Sequence, residues 1–160
     1  MLKIAREMEY ALVALKVLGK ARPAELISVR SICEEYQLPF DATSHAMQKL
    51  KHAAIVRSAK GPSGGYQLIR DLEGLSLMEL LEAVGISGQL MGCMDHACGC
   101  SLVGTCNIIS PLVVLNQRLT EFYKSIKVQE LFDAQSPQEK LIKMRFAEHM
   151  AAADSEVPAL

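Results

Sequence analysis

The chain has 160 residues, of which half are apolar, and its 17 Lys/Arg and 18 Asp/Glu side chains leave a net charge of −1. This length suits one domain with a hydrophobic core and an appendage, but not two ordinary domains. No apolar run approaches the ~20 residues of a transmembrane helix, and the charged start of the chain lacks the apolar stretch of a signal peptide. We therefore expect a cytoplasmic protein that does not enter the membrane.

Short helical patterns dominate the first third of the chain. Apolar residues recur at helical spacing over residues 4–18, which predicts a first helix. Ser28 is a suitable N-cap for a second helix that ends at Tyr36, and a third helix is predicted from residue 40 or 41 to residue 53. One face of the third helix consists of Thr43, Ala46, Met47 and Leu50. Two short helices separated by a tight break indicate a helix-turn-helix.

A β-hairpin is predicted directly after these helices. Residues 55–58 and 66–69 form two β-rich stretches around a Gly/Pro turn at 60–65. Within the turn, Gly64 and Gly65 permit either positive φ or a close approach of two backbones. A helix-turn-helix that is followed by a hairpin is the layout of a winged helix.

Three more helices are predicted in the second half of the chain. Ser76 and Glu79 have the spacing of a capping box at the start of a helix over residues 75–84. Residues 108–126 form a long amphipathic helix whose apolar stripe requires a partner helix, so we expect a homodimer. This stripe consists of Leu112, Leu115, Leu119, Phe122 and Ile126. A last helix is predicted over residues 136–151.

The predicted fold class is therefore mostly α, a winged helix-turn-helix with a β-hairpin wing and a long C-terminal dimerisation helix. Its parts are a DNA-binding domain over 1–84, a cysteine-rich loop over 85–107, a dimerisation helix over 108–132, and a C-terminal helix and tail over 133–160. No phosphate-binding loop, nucleophile–base set or placed carboxylate pair is recognisable in the sequence, so we do not expect an enzyme.

The third helix and the wing carry candidate DNA contacts. In a helix-turn-helix the second helix lies in the major groove, where its N-terminal polar side chains reach base edges and flanking cations contact phosphates. Base reading is thereby assigned to Asp41, Ala42, Ser44, His45 and Gln48. Backbone contacts are assigned to Lys49, Lys51, His52, Arg57, Lys60 and Arg70. Residues 1–70 carry eleven Lys/Arg against six Asp/Glu, a net +5 that suits a polyanion. For each single residue, a merely solvated surface is the alternative.

Four of the five cysteines fall within fourteen residues, namely Cys93, Cys98, Cys100 and Cys106. Thiols of a cytosolic chain stay reduced, which favours metal binding or redox sensing over structural disulfides. The paired knuckles of structural zinc are missing, whereas an iron–sulfur cluster accepts irregular spacing. The pattern therefore favours a cluster, with zinc and a thiol switch as alternatives. Cys33 lies apart in a helical pattern and is expected to be a buried apolar residue.

Residues 32–70 and the loop after them resemble the Rrf-type bacterial winged-helix regulators, a family that includes iron–sulfur, nitric-oxide and iron sensors. The resemblance covers roughly residues 1–132 and is most specific in Gly61-Pro62-Ser63-Gly64-Gly65-Tyr66-Gln67-Leu68, which looks like the family's wing signature. Downstream, Cys106 and the segment 118–131 resemble its last cysteine and its dimerisation helix. The resemblance implies a homodimer with crossing long helices, and an iron–sulfur cluster whose state sets DNA affinity.

The resemblance also implies cluster ligands. Members that bind a cluster have three cysteines, and the matching residues are Cys93, Cys100 and Cys106. The span here is one residue longer, so Cys98 either replaces one of them or supplies a fourth thiolate. Some members carry a histidine three residues past the last cysteine, where this chain has Ile109. Other members use a carboxylate from the partner's first helix, and Glu9 stands at the matching position. The pattern leaves a two-iron and a four-iron cluster equally open.

We therefore predict an iron–sulfur-dependent transcription regulator, a repressor that binds palindromic promoter DNA and senses iron or cluster supply, redox state or nitric oxide. The first alternative is a cluster-free regulator of the same fold that uses the cysteines as a thiol switch or a zinc site. The second, from another class, is a cysteine-based electron carrier or redox enzyme in which the helix-turn-helix binds protein.

Overall fold

A computed structural model describes residues 5–61, 63–87 and 105–133. These residues form six helices and one two-stranded antiparallel sheet. In chain order the elements are α1 (Arg6–Lys20), α2 (Val29–Tyr36), α3 (Phe40–His52), β1 (Val56–Ala59), β2 (Gly65–Leu68), α4 (Leu77–Ala83), α5 (Ile109–Ser125) and α6 (Val128–Asp133). Among the described residues no helix is both long enough and apolar enough to cross a membrane.

The predicted winged helix-turn-helix is confirmed. The helices α2 and α3 and the hairpin follow one another in the predicted order, and the element ends lie within two residues of the predicted ones. Ser28 caps α2, since its hydroxyl accepts a hydrogen bond from the Ser31 backbone N–H at 3.0 Å. The predicted helix over 136–151 lies outside the described residues.

The hydrophobic core lies where α1, α2 and α3 pack together. The predicted apolar face of the third helix is completely buried, and it consists of Thr43, Ala46, Met47 and Leu50. Opposite it, α1 buries Met8, Ala11 and Leu15, and Cys33 of α2 is buried as expected. Each buried Leu, Ile or Met side chain stabilises the fold by ~1.5–3 kcal/mol. The packing fixes the rotation of α3, because only one of its faces is apolar.

The predicted capping box at the start of α4 is present. The Ser76 hydroxyl accepts a hydrogen bond from the Glu79 N–H at 3.2 Å, and the Ser76 N–H donates to Glu79 Oε2 at 2.9 Å. Arg70, which follows β2, donates to the other Glu79 oxygen and so ties the end of the hairpin to α4. The hydrogen bonds from the Ser76 backbone and hydroxyl, and the Arg70 guanidinium, hold the pKa of Glu79 below its ordinary value.

The amphipathic helix predicted over 108–126 is present as α5, whereas the segment 108–132 assigned to dimerisation is divided into two helices. α5 ends at Ser125, and Ile126 adopts an extended backbone that accepts a hydrogen bond from the Leu77 N–H at 2.9 Å. The Val128 N–H then donates to the Leu75 carbonyl at 2.9 Å, and the Val128 side chain is fully buried. The chain therefore turns back onto the winged helix, and α6 is a separate short helix.

The capping box predicts a pH-dependent stability. Because the pKa of Glu79 is lowered in the folded state, its carboxylate stabilises the fold above its ordinary pKa of about 4.5, and this contribution is lost as the pH falls through the folded-state value. We expect Glu79→Gln to reduce the free energy of unfolding at pH 7 and the difference from wild type to shrink below pH 4.5. Urea unfolding across this pH range measures it. Ser76→Ala should lower the free energy of unfolding by about 0.5–2 kcal/mol at pH 7. A difference between Glu79→Gln and wild type that does not change with pH would contradict the assignment.

Candidate DNA-binding surface and cysteine segment

The outer face of α3 carries the side chains that the sequence assigns to base reading. Asp41, Ala42, His45 and Gln48 are exposed, and Ser44 is partly exposed. They occupy the N-terminal two-thirds of the helix, the part that reaches base edges in helix-turn-helix proteins. The structure therefore brings this set onto one surface, whose orientation is fixed by the buried face behind it.

The cations near the end of α3 fall into two groups. Lys51 and His52 are exposed, as a phosphate contact requires. Lys49 instead has partners inside the protein, since its Nζ lies 2.9 Å from Glu7 Oε1 of α1 and donates to the Val84 carbonyl at 2.8 Å. Sequence reasoning missed these contacts, because the three residues are far apart in the chain.

The wing places its cations differently from one another. Arg57 faces Gln67 across the hairpin, and its Nε and Nη2 donate to Gln67 Oε1 at 3.0 and 2.7 Å while the pair stays exposed. Lys60 is exposed at the turn. Arg70 is engaged with the Glu79 carboxylate, so it belongs to the joint between the hairpin and α4. Arg57 and Lys60 are the wing cations that remain on the open surface.

A shallow groove of about 360 Å³ lies where the wing meets the starts of α2 and α3. Two cations line it, Arg30 of α2 and Lys60 of the wing, and the half-exposed Phe40 forms part of its wall. The first helix of a helix-turn-helix crosses the DNA backbone, so Arg30 is a further candidate phosphate contact. Sequence reasoning missed Arg30, although a cation in the first turn after the Ser28 cap is a usable signal.

The wing glycines permit a close approach of backbones. A Cβ on Gly65 would lie 2.6 Å from the Ile27 carbonyl oxygen, and one on Gly64 would lie 2.5 Å from the Ala59 carbonyl oxygen. Ile27 pairs with Tyr66 through two backbone hydrogen bonds of 2.8 and 2.9 Å, which hold the hairpin against the segment before α2. Positive φ occurs at Gly61 and not at these two positions. Gly64 and Gly65 are therefore needed for the close approach of two backbones and not for a positive φ.

The candidate cluster ligands are only partly described. Cys93, Cys98 and Cys100 lie outside the described residues. Cys106 is half-buried three residues before α5, and Glu9 is exposed in the first turn of α1. Within residues 5–61, 63–87 and 105–133 no group of three or more His, Cys, Asp or Glu side chains is placed to hold a metal ion. The ligand assignment thus stays a prediction.

The long helix α5 presents an apolar surface. None of its residues is buried, and two members of the predicted stripe are about half exposed, Leu115 (46%) and Phe122 (57%), as is Ile108 (54%) directly before the helix. Leu112, Leu119 and Ile126, the other members of the predicted stripe, are partly exposed beside them. Side chains seven apart lie on one side of a helix, so the stripe is continuous.

Comparison with known proteins identifies the family. The family model Rrf2, described as an iron-dependent transcriptional regulator, matches residues 4–134. A putative HTH-type transcriptional regulator of Aquifex aeolicus is 25% identical over 128 residues, which cover 79% of this chain and 88% of the relative. The HTH-type transcriptional regulator IscR of Escherichia coli is 25% identical over 134 residues, covering 84% and 82% of the two chains.

The same fold occurs in a solved structure. CymR, the global cysteine regulator of B. subtilis, superposes with a TM-score of 0.63 at 18% sequence identity, over 85% of this chain and all of CymR. At this identity the similarity concerns the fold alone. The family match, the winged helix and the exposed polar face of α3 agree, and the chain therefore belongs to the Rrf2 family of transcriptional regulators.

Proposed function

We propose that this regulator is a homodimeric repressor that binds palindromic promoter DNA through α3 and the wing, and that an iron–sulfur cluster on the segment 93–106 sets its DNA affinity. The observation that supports DNA reading is the difference between the two sides of α3. Its apolar face is buried, and Asp41, His45 and Gln48 on the other side are exposed. Gln bonds adenine bidentately and Asp accepts from cytosine, so the exposed side chains suit base recognition.

Electrostatics supports the same surface. Lys51, Arg57 and Lys60 are exposed around α3 and the wing, and Arg30 lines the groove between them. Cations that neutralise phosphates release bound counterions, which makes DNA affinity fall steeply with added salt. The net charge of +5 over residues 1–70 is consistent with a DNA-binding head in this half of the chain.

The chemistry of the donor set supports an iron–sulfur cluster. Thiolates are the usual ligands of such clusters, and the segment offers Cys93, Cys98, Cys100 and Cys106. The matching family model is described as iron-dependent. The exposed carboxylate of Glu9 is free to serve as an oxygen ligand across a dimer, and a weak oxygen ligand suits a sensor whose cluster must change. When bound, the cluster would supply sensitivity to iron, oxidants and nitric oxide.

The apolar stripe on α5 supports a homodimer. This helix has no buried residue, and Leu115 and Phe122 are half exposed. Pairing with a second copy would remove their apolar surface from water, which stabilises association. Two copies related by a two-fold axis would place two copies of α3 on two half-sites, which accounts for a palindromic operator.

Replacing Cys106 tests the cluster. Protein purified without oxygen is expected to be coloured and to contain iron and sulfide, and Cys106→Ala should lose most of both, because it removes one of three predicted thiolates. Cys33→Ala is the matched control, since Cys33 is only 8% exposed in the core and should keep its cluster. Visible absorption with iron and sulfide assays measures the outcome. A colourless wild-type protein with zinc and no iron or sulfide would favour the zinc alternative.

Replacing Phe122 tests the dimer. Phe122→Glu would bring an unpaired charge into the proposed apolar interface, so the dimer Kd should rise on the order of a hundredfold. Lys124→Ala is the control, because Lys124 lies about 200° around α5 from Phe122. Light scattering coupled to gel filtration over a dilution series measures the mass. A wild-type monomer, or a Phe122→Glu protein that dimerises as tightly as wild type, would contradict this interface.

A further inference from the structure

Lys49 differs from the other cations of the recognition helix. Its Nζ lies 2.9 Å from Glu7 Oε1 and donates to the Val84 carbonyl at 2.8 Å, so two of its three N–H donors are directed to partners in the protein. Its side chain is 31% exposed, as is that of Glu7. Lys51, two residues later on the same helix, is exposed and serves as its natural comparison.

The three groups at this contact come from three different elements. Glu7 lies in the first turn of α1, Lys49 in the last turn of α3, and Val84 is the C-cap of α4. The carbonyls at a helix C-terminus lack partners within the helix, so the Lys49 ammonium satisfies one of them at the end of α4. Gly85 follows with φ +78°, and a Cβ there would lie 3.3 Å from Lys49 Nζ. Lys49 therefore binds the end of α4, after which the chain continues toward the cysteines.

Glu7 also contacts the base-reading face. Its Oε1 lies 3.4 Å from Nδ1 of His45, so one carboxylate oxygen contacts α3 at two side chains that are one turn apart. Glu7 thus joins the middle and the last turn of α3 to the start of α1.

We propose that Glu7 and Lys49 are positioning residues for DNA reading. Their ion pair, together with the bond from Lys49 to Val84, fixes α3 relative to α1 and to the end of α4. Lys49 acts through the protein and does not contact a phosphate, unlike the role that its place in the sequence suggests. The proposal rests on the proposed DNA-binding function and assigns two residues to it, one of which lies outside the helix-turn-helix.

The salt dependence of binding separates these two roles. A lysine that contacts a phosphate releases counterions. Its loss therefore lowers the magnitude of the negative slope of log Kobs against log salt by about 0.9 per contact, and it weakens binding to all sequences alike. A lysine that positions the recognition helix leaves this slope unchanged, because it neutralises no phosphate. Its loss instead weakens binding to the specific site.

The experiment uses two DNA duplexes, one selected by the wild-type protein from a random library and one of unrelated sequence. Lys49→Gln and Glu7→Gln should each weaken binding to the selected duplex about three- to tenfold, with the slope and the affinity for the unrelated duplex unchanged. The double variant should lose less affinity than the sum of the two single losses, since both single variants remove the same ion pair. Lys49→Arg should bind the selected duplex more tightly than Lys49→Gln does, because it keeps a cation beside the Glu7 carboxylate. Lys51→Gln should lower the slope by about 0.9 for each protomer.

The thermal unfolding temperature of each variant is measured first, and the titrations are carried out below it. A lost affinity then reflects the folded protein. The proposal is overturned when Lys49→Gln lowers the slope as much as Lys51→Gln does, or when Glu7→Gln binds the selected duplex as tightly as wild type. A wild-type protein that selects no sequence and binds no duplex would contradict the proposed function itself, which distinguishes the two failures.

Discussion

The burial of one face of α3 against α1 is the contact on which the rest of the molecule depends. Four consecutive inward positions, from Thr43 to Leu50, are completely buried, and the Thr43 hydroxyl donates to the Pro39 carbonyl at 2.8 Å so that its burial leaves no unpaired donor. Because helical side chains repeat every 3.6 residues, Asp41, His45 and Gln48 on the other side of α3 face outward. The orientation of the polar face proposed to contact DNA is thus set by apolar packing.

The contacts around this core connect the winged helix to the rest of the chain. The Leu77–Ile126 and Val128–Leu75 backbone hydrogen bonds, both 2.9 Å, attach the end of α5 to the start of α4. The other end of α4 meets Lys49 of the recognition helix through Val84. One end of α4 therefore contacts the segment that follows α5, and its other end contacts α3. In a dimer formed along α5, α4 would connect the interface to the exposed face of α3.

Most of the fold could be predicted from the sequence, because helix periodicity, the Ser28 cap, the Ser76/Glu79 box and the Gly/Pro turn are local signals. The contacts of Lys49 could not, since they join residues 7, 49 and 84 and depend on how three helices pack. The amphipathic pattern over 108–126 predicted the extent of α5, but the separate helix α6 was not predicted, because the segment before it pairs with Ser76, which is about fifty residues earlier in the chain. Part of the candidate site is likewise local, as in the exposed face of α3, whereas the proposed convergence of the cysteines on one cluster would depend on their three-dimensional arrangement.

One comparison directly tests the proposed link between the cysteine segment and DNA affinity. The DNA affinity of protein purified without oxygen should be measured at fixed salt before and after its iron is removed with a chelator, on a duplex that the iron-containing protein selects from a random library. We expect iron removal to change the affinity by about tenfold or more, and Cys106→Ala to bind like the iron-free protein. Equal affinity of the iron-containing and iron-free proteins would contradict the account.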